Sequence, residues 1–503
     1  MAEDLAPATR AQAQGSGRLL IRGAAVASVD PLIGDLERAD ILVEHGRIVA
    51  VSAVSAETGE SELAAAASSA EVIDAPEMIA IPGLVDTHRH TWQAQLRGIL
   101  ADGTIPDYLR GMRLQMAIRY RPEDMYVGNY AGALDALNSG ITSLVDYCHN
   151  ILDPECAHGA VSGLLDAGIG GLYGHGMSPV TSNTWSESAG GREGVADPAG
   201  FEPRARLARE IREQYFRDES QPLRFGMAPQ ELPIAPVAAV EAEFRLAREL
   251  GAHLTLHANQ LAVRQLFQDV KVLAEHDLLG PDLLLVHCSF NTEEEWELLR
   301  GTGTAVSVCA ETEMQMGMGF PAIREATEFT PGPSLGIDCV SGDSGDLLSH
   351  ARLVLQATRW RDDAAGYERL VAPQEMRWTT KDALRWITQN GATAAGVGHE
   401  VGSLTPGKRA DIVLLDMSGI SQAGWNRRDP TGAVIAQTNS GTVDTVLVGG
   451  RIVKRHGRLV HVDVEAGLAR IRASHDHLYE QMDRNGGFIP QPPVDIPLYR
   501  ERA

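Results

Sequence analysis

The sequence predicts an α/β fold: a (β/α)8 TIM barrel with a small β-sandwich domain built from both chain ends. Three observations carry this expectation. Between residues 81 and 395, apolar strand-like runs alternate with helical patterns, about eight strand signals in all. Several of these runs end in a histidine or an aspartate, where a barrel would present them at its mouth. Short strand-and-turn segments recur near both termini, and neither group is large enough to be comfortable alone. An open doubly wound sheet is the structural competitor, but ligands ringed from the first, fifth, sixth and eighth strands need a closed barrel.

Residues 1–16, rich in Ala and Gln with Glu3 and Asp4, read as a floppy tail. They lack the basic start and apolar block of a secretory signal. The small domain is expected from 17–80 plus 396–465. Its strands are Leu19–Arg22, Asp40–Glu44 and Arg47–Val51, with His45-Gly46 as a turn, joined by Ala410–Leu415 and Thr445–Val453. Residues 53–70, rich in Ala, Ser and Glu, read as a surface insertion.

The barrel is expected over 81–395. The hydrophobic run Met78–Val85 reads as one buried strand leading into it. Further strand signals lie at 142–146, 170–174, 223–227, 253–257, 283–287, 305–308 and 335–338. Helices are expected at Pro122–Ser139, Pro236–Leu250, Thr292–Arg300 and Thr379–Asn390. Residues 178–200 read as a loop over the mouth, and Pro203–Tyr215 as a charged helix. The stretch 466–503 supplies a C-terminal helix, starting near Val464, and a tail that packs on the body.

Bulk chemistry sets the class. The chain has 503 residues, 44% hydrophobic and 22% charged, with a net charge of −23. That balance suits a soluble, acidic cytoplasmic protein and argues against nucleic acid or an anionic membrane surface as partner. No apolar run reaches the length of a membrane span. Five cysteines, Cys148, Cys156, Cys288, Cys309 and Cys339, are too sparse for a disulfide framework. They read as small buried packing residues. On regular strands Cys288 and Cys339 would point away from the side used by His287 and Asp338.

The most informative motif is His88-Arg-His90, in Ile81-Pro-Gly-Leu-Val-Asp-Thr-His-Arg-His90. Side chains two apart on a strand face one side, so two imidazoles share one spot, which suits a divalent metal. Three further strand ends contribute His257 (Ala252-His-Leu-Thr-Leu-His), His287 (Leu283-Leu-Leu-Val-His) and Asp338 (Ser334-Leu-Gly-Ile-Asp). Any one histidine alone would read as a core residue; the set in order does not.

That order resembles the amidohydrolase superfamily, and within it the cytosine deaminase-like and triazine hydrolase (chlorohydrolase)-like branch. The superfamily's Pro-Gly-x-x-Asp-x-His-x-His is matched from Pro82 to His90, and its re-entry to the small domain by Gly402-Ser-Leu-Thr-Pro-Gly-Lys-Arg-Ala-Asp411. The resemblance implies that His88, His90, His257 and Asp338 hold one metal with a position open for water. Asp338 would also take the water's proton, and His287 would orient the attack. No lysine stands in a fourth-strand motif suited to a carbamylated bridge, so one divalent ion is expected. Zinc is the first choice, with Fe2+, Co2+ and Mn2+ also compatible.

One departure stands out. The deaminase branch carries His-x-x-Glu on the fifth strand; here the run is His257-Ala-Asn-Gln260. A Gln side chain hydrogen-bonds but does not carry a proton. Glu313 and Glu311, after the seventh strand, are candidate acids or substrate contacts, or simply favourable acids at a helix start. His149 and His175, assigned to the third and fourth strand ends, and Trp92 and Gln93, after the metal pair, complete the expected substrate contacts.

The resulting expectation is a metal-dependent hydrolase cleaving a C–N bond of a small N-heterocyclic substrate, by deamination or amide-like hydrolysis. The alternative reaction is displacement of halide, thiolate or nitrite from a heteroaromatic ring. The alternative class is a non-catalytic amidohydrolase-like scaffold. A homodimer or homotetramer is the default assembly.

Overall fold

The computed structural model describes residues 17–178, 198–232, 235–262 and 268–489. Five strands come first: β1 (Arg18–Ala27), β2 (Asp35–Glu44), β3 (Arg47–Ala53), β4 (Glu71–Asp74) and β5 (Met78–Pro82). Eight follow in the middle: β6 (Leu84–Arg89), β7 (Ile141–Cys148), β8 (Gly170–Gly176), β9 (Leu223–Ala228), β10 (His253–Ala258), β11 (Leu283–His287), β12 (Ala305–Val308) and β13 (Pro333–Leu335). The last four are β14 (Ile412–Asp416), β15 (Val443–Val448), β16 (Arg451–Arg455) and β17 (Arg458–Leu459).

The outer strands form one mixed sheet in the order β17-β16-β15-β14-β5-β1-β2-β3, with β4 beside β1. The sheet folds over on itself. Ala410 N–H donates to Gly46 O, and Gly450 N–H donates to Ala410 O. Ile21, Ile41 and Val43 from one half share a core with Ile412, Leu414 and Leu447 from the other. The sandwich is therefore a single sheet whose two halves face each other across apolar side chains that neither half could bury alone.

Strands β6 to β13 run parallel, each beside its sequence neighbour. β6, β7, β8, β11, β12 and β13 are buried at every residue. Parallel strands covered on both faces need such unbroken apolar or small-residue runs. Gly171 shows how tight the staves are: it has φ +109°, and a Cβ there would lie 1.9 Å from Leu144 O.

The run Met78–Val85 is not one strand. β5 pairs with β14 in the small sheet, and the chain turns at Gly83 before entering the barrel as β6. A Cβ on Gly83 would sit 2.1 Å from Thr142 Oγ1, so the turn needs glycine. The expected helix Thr379–Asn390 is also divided, into Thr380–Trp386 and Gln389–Ala394, with Thr388 at ψ −97° between them. The other expected helices run Pro122–Asn138, Pro198–Tyr215, Val237–Glu249, Glu293–Leu299 and Val464–Arg484. Thr292 and Thr379 start their helices through capping boxes. The loop expected over the mouth falls largely on residues 179–197, outside the described residues.

The barrel closes between β6 and the residues after β13. Asp338 N–H donates to His88 O at 2.8 Å, and His90 N–H donates to Asp338 O at 3.0 Å. Asp86 reinforces this seam: its Oδ1 accepts Ile337 N–H at 3.0 Å and its Oδ2 accepts Arg89 Nε–H at 2.7 Å. Both side chains are fully buried. Without Asp86, Arg89 would keep only Asp135, 3.2 Å from its Nη1, and the Ile337 amide would be orphaned; breaking a buried pair typically costs about 3–5 kcal/mol. Asp86→Ala should therefore lower the urea midpoint by the equivalent of about 3–5 kcal/mol; an unchanged midpoint would remove the pair from the closure.

Candidate metal centre and cavity

The barrel's first, fifth, sixth and eighth stave ends bring His88, His90, His257, His287 and Asp338 together. His88 Nε2 lies 3.4 Å and His90 Nε2 3.3 Å from Asp338 Oδ1. His257 Nε2 is 3.2 Å from His88 Nε2, and His287 Nε2 is 3.8 Å from Asp338 Oδ2. All five side chains are buried. The ligand atoms of His88, His90 and Asp338 lie within 4.8 Å of one another, as do those of His88, His257 and His287.

The far side of each ring fixes where its proton goes. His90 Nδ1–H donates to Tyr147 O at 3.0 Å, and His257 Nδ1 meets Glu231 Oε1 at 2.9 Å. Burial, then the neighbouring His88, pull His90 down to about 3. Burial, His88 and His90 hold His257 well below the usual imidazole range. Both rings are thus neutral with bare Nε2 lone pairs aimed inward. In His90 that lone pair faces a carboxylate oxygen with no proton between them. Asp338 is itself ionised: burial alone would raise it, but hydrogen bonding and charge from His88, with charge from His287, take it below the ordinary carboxylate range. Electron pairs converging in this way fit a divalent cation, with imidazole and carboxylate ligands of the type zinc takes.

The backbone is bent to achieve this. His287, Cys288 and Asp338 have φ of 75°, 54° and 66°, and Asn259 has φ 45°. Because the strands do not stay regular past His287 and Asp338, alternation fails there. Cys339 does not turn away: it lines the cavity, and its Sγ–H donates to Asp338 Oδ1 at 3.1 Å. All five cysteines are buried and unbridged.

A small cavity opens over these residues. His149 and Gln260 line it, and the His149 ring stacks on His90 at 4.2 Å. His149 follows the second barrel strand and His175 closes the third, one stave earlier than expected. His175 is buried among Tyr173 and Phe225 and does not line the cavity. Trp92 and Gln93 lie behind the wall: Trp92 Nε1–H donates to His149 Nδ1 at 3.2 Å, and Gln93 Nε2–H to Tyr108 Oη at 3.0 Å. Glu313 holds His287 Nδ1 at 3.2 Å and the Cys309 amide at 2.8 Å. Glu311 bonds Ser344 in a neighbouring loop.

Sequence reasoning missed Glu231, Tyr108 and Arg113, which all line the cavity. Glu231 follows β9 by three residues, so the rule that barrel strand ends carry function could have flagged it. Its loop is seated by Glu243, whose carboxylate accepts the Gln230 amide and side chain, each at 2.7 Å.

A family model described as Amidohydrolase family matches residues 79–453. A 5'-deoxyadenosine deaminase from Methanosarcina mazei is 24% identical over 476 residues, covering 92% of this chain and 99% of that protein. A 5-methylthioadenosine/S-adenosylhomocysteine deaminase from Symbiobacterium thermophilum is 26% identical over 467 residues, covering 90% and 98%. Among solved structures, an atrazine chlorohydrolase from Arthrobacter aurescens complexed with zinc has a TM-score of 0.77 at 23% identity, covering 91% and 100%. An adenosine deaminase from Xanthomonas campestris with bound zinc has a TM-score of 0.72 at 22% identity, covering 92% and 98%. These structural likenesses show a shared fold.

Two predictions test the supports of the site. Outer partners that orient a ligating imidazole are typically worth on the order of 10–100-fold in metal affinity. Glu231→Ala should weaken metal binding by that order in a chelator competition; unchanged affinity would mean His257 needs no such partner. Burial pushes Glu243 up to about 7, against the hydrogen bonds from Gln230. Its folded-state value exceeds its unfolded one, so the folded chain retains a proton the unfolded chain has lost. That contribution is complete below the unfolded value and fades as pH rises through about 7. Between pH 5 and 8, melting curves should show the wild type losing stability relative to Glu243→Gln; parallel curves would contradict it.

Proposed function

The chain belongs to the amidohydrolase family, and we propose that it is a metal-dependent hydrolase cleaving a C–N bond of a small, N-heterocyclic substrate by deamination or amide-like hydrolysis. The carrying observation is the convergence of His88, His90 and His257 with the ionised Asp338 at one end of the barrel. A single divalent ion, zinc for preference, suits this set; when bound it lowers the pKa of a coordinated water toward neutrality. His88, His90, His257 and Asp338 would hold it.

The chain's own residues divide the remaining work. Asp338 faces the reacting side through Oδ2 and accepts the proton of the attacking water. His287 stands across from it, 3.8 Å away, and orients the electrophilic group. Burial disfavours its charged form, but the hydrogen bond it donates to Glu313 and the charge of Asp338 outweigh burial and raise it, so His287 can hold a proton at Nε2. Tyr147 stacks on His257 at 4.3 Å and helps exclude water from the ligand side. Gln260, on the cavity wall, hydrogen-bonds substrate without moving a proton.

Gln260 also favours a second reading, displacement of halide, thiolate or nitrite from a heteroaromatic ring, since these leave without a proton. Among the described residues no helix is long and apolar enough to cross a membrane. Five unbridged cysteines fit a reducing cytoplasm, and a homodimer or homotetramer is the assembly we expect.

Protein purified without added metal should hold close to one transition metal per chain by elemental analysis. Asp338→Asn should then cut turnover by on the order of 10³-fold or more, read as ammonia from aminated heterocycles and as chloride from chlorinated ones. An unchanged rate would remove Asp338 as the base, and metal-free protein that takes up none would leave the scaffold reading. Ammonia without chloride supports C–N cleavage; the reverse supports displacement.

A further inference from the structure

The wall opposite the metal ligands is built by an unusual helix. Tyr108–Met116 is wound as a π-helix, and Ala117 N–H continues the pattern by donating to Met112 O. Such five-residue closure is rare and accompanies functional sites. At 3.6 residues per turn, residues five apart in an α-helix would stand roughly 140° round the axis. The wider winding brings them close to one face. Tyr108, Leu109 and Arg113 accordingly all line the cavity.

Arg113 is only 9% exposed, yet it makes no hydrogen bond or ion pair with any described residue. The other deeply buried arginines are paired, Arg89 with Asp86 and Arg409 with Asp411. A buried guanidinium with no hydrogen-bonded partner is costly, and its planar fork matches a carboxylate in two parallel hydrogen bonds. It lines the same cavity as His90, His257 and Glu231. Arg113 thus faces the substrate side.

Tyr108 adds a directed donor. Indole N–H only donates, so Trp92 makes His149 Nδ1 an acceptor and puts the ring proton on Nε2. That nitrogen lies 3.3 Å from Tyr108 Oη. Gln93 Nε2–H donates to the same oxygen, and Gln93 Oε1 is held by Ser341 Oγ–H at 2.9 Å. With both lone pairs of Oη engaged, the Tyr108 proton is left for the cavity.

We propose that Arg113 and Tyr108 form a recognition subsite for a carboxylate, so that the substrate is an anionic N-heterocycle or amide. This rests on reading the cavity as the hydrolase active site. The rival role for Arg113 is to balance the charge of Glu231. That role would make Arg113→Met alter metal affinity without changing the choice between acid and neutral ligands.

The test uses the metal-loaded protein and matched probes, orotate against uracil and nicotinate against nicotinamide, by isothermal titration calorimetry. The acid of at least one pair should bind about tenfold or more tightly than its neutral partner. That preference should disappear in Arg113→Met, persist weakened in Arg113→Lys, and shrink in Tyr108→Phe. No acid preference in the wild type, or one that survives Arg113→Met, overturns the subsite. Because binding rather than turnover is read, this can fail while metal uptake and Asp338-dependent hydrolysis stand, and the converse.

Discussion

The seam where the barrel closes on itself is the constraint on which the site depends. Asp338 N–H to His88 O and Asp338 O to His90 N–H are backbone bonds between the first stave and the last. They complete the barrel, and the same bonds put the Asp338 side chain against both imidazoles. A closed sheet fixes stagger as well as neighbours. The two ends of the barrel sequence are therefore held to hydrogen-bond tolerance, which is the tolerance a metal centre requires. Asp86 and Arg89 lock the seam from inside: the buried pair uses Asp86 to anchor the Ile337 amide, one residue before Asp338.

Proton placement then follows from the outer partners. Tyr147 O and Glu231 each occupy an Nδ1 position and leave Nε2 of His90 and His257 as a lone pair. Glu313 does the same for His287, but there the hydrogen bond to Glu313 and the charge of Asp338 outweigh burial, and the ring's affinity for a proton rises rather than falls. Three histidines on one rim therefore differ in character. His90 and His257 are driven to the neutral form that binds cations, whereas His287 is kept able to hold a proton. All three are equally buried, so the difference lies in the neighbouring charges: His88 acts against a proton on His90 and His257, whereas Glu313 and Asp338 favour one on His287.

Much of this was legible in the sequence because barrels place function at strand ends. His88, His90, His257, His287 and Asp338 each terminate an apolar run, and periodicity alone brings them near a common mouth. Two kinds of residue escaped. Where the backbone leaves regular geometry, alternation misleads: Cys339 reads as facing away from Asp338 but bonds to it, since Asp338 sits at φ 66°. Where a side chain acts from a helix wound outside the 3.6 period, no pattern marks it: Tyr108 and Arg113 are five apart and share a face only because the segment is a π-helix. The run Met78–Val85 misled for a third reason, since unbroken apolar sequence does not show that Gly83 divides it between two sheets.

The irregular positions also explain how rigidity and selectivity coexist. Left-handed backbone at non-glycine residues costs of order 1–3 kcal/mol each, and His287, Asp338 and Asn259 all carry it. Such strain persists only where the surroundings over-determine it. Asn259 shows the means: its amide donates to Asp269, and its side chain donates to Asn291 and Glu295, all at 2.7 Å. The reacting rim is thus built on staves whose neighbours leave it no alternative conformation. Tyr108 and Arg113 stand instead on a helix outside the barrel sheet, tied to the rim through His149 and Gln93 rather than through backbone pairing. Side chains on that helix can change without disturbing the seam, so on the proposed reading charge preference is set by residues that never touch the backbone of the proposed metal ligands.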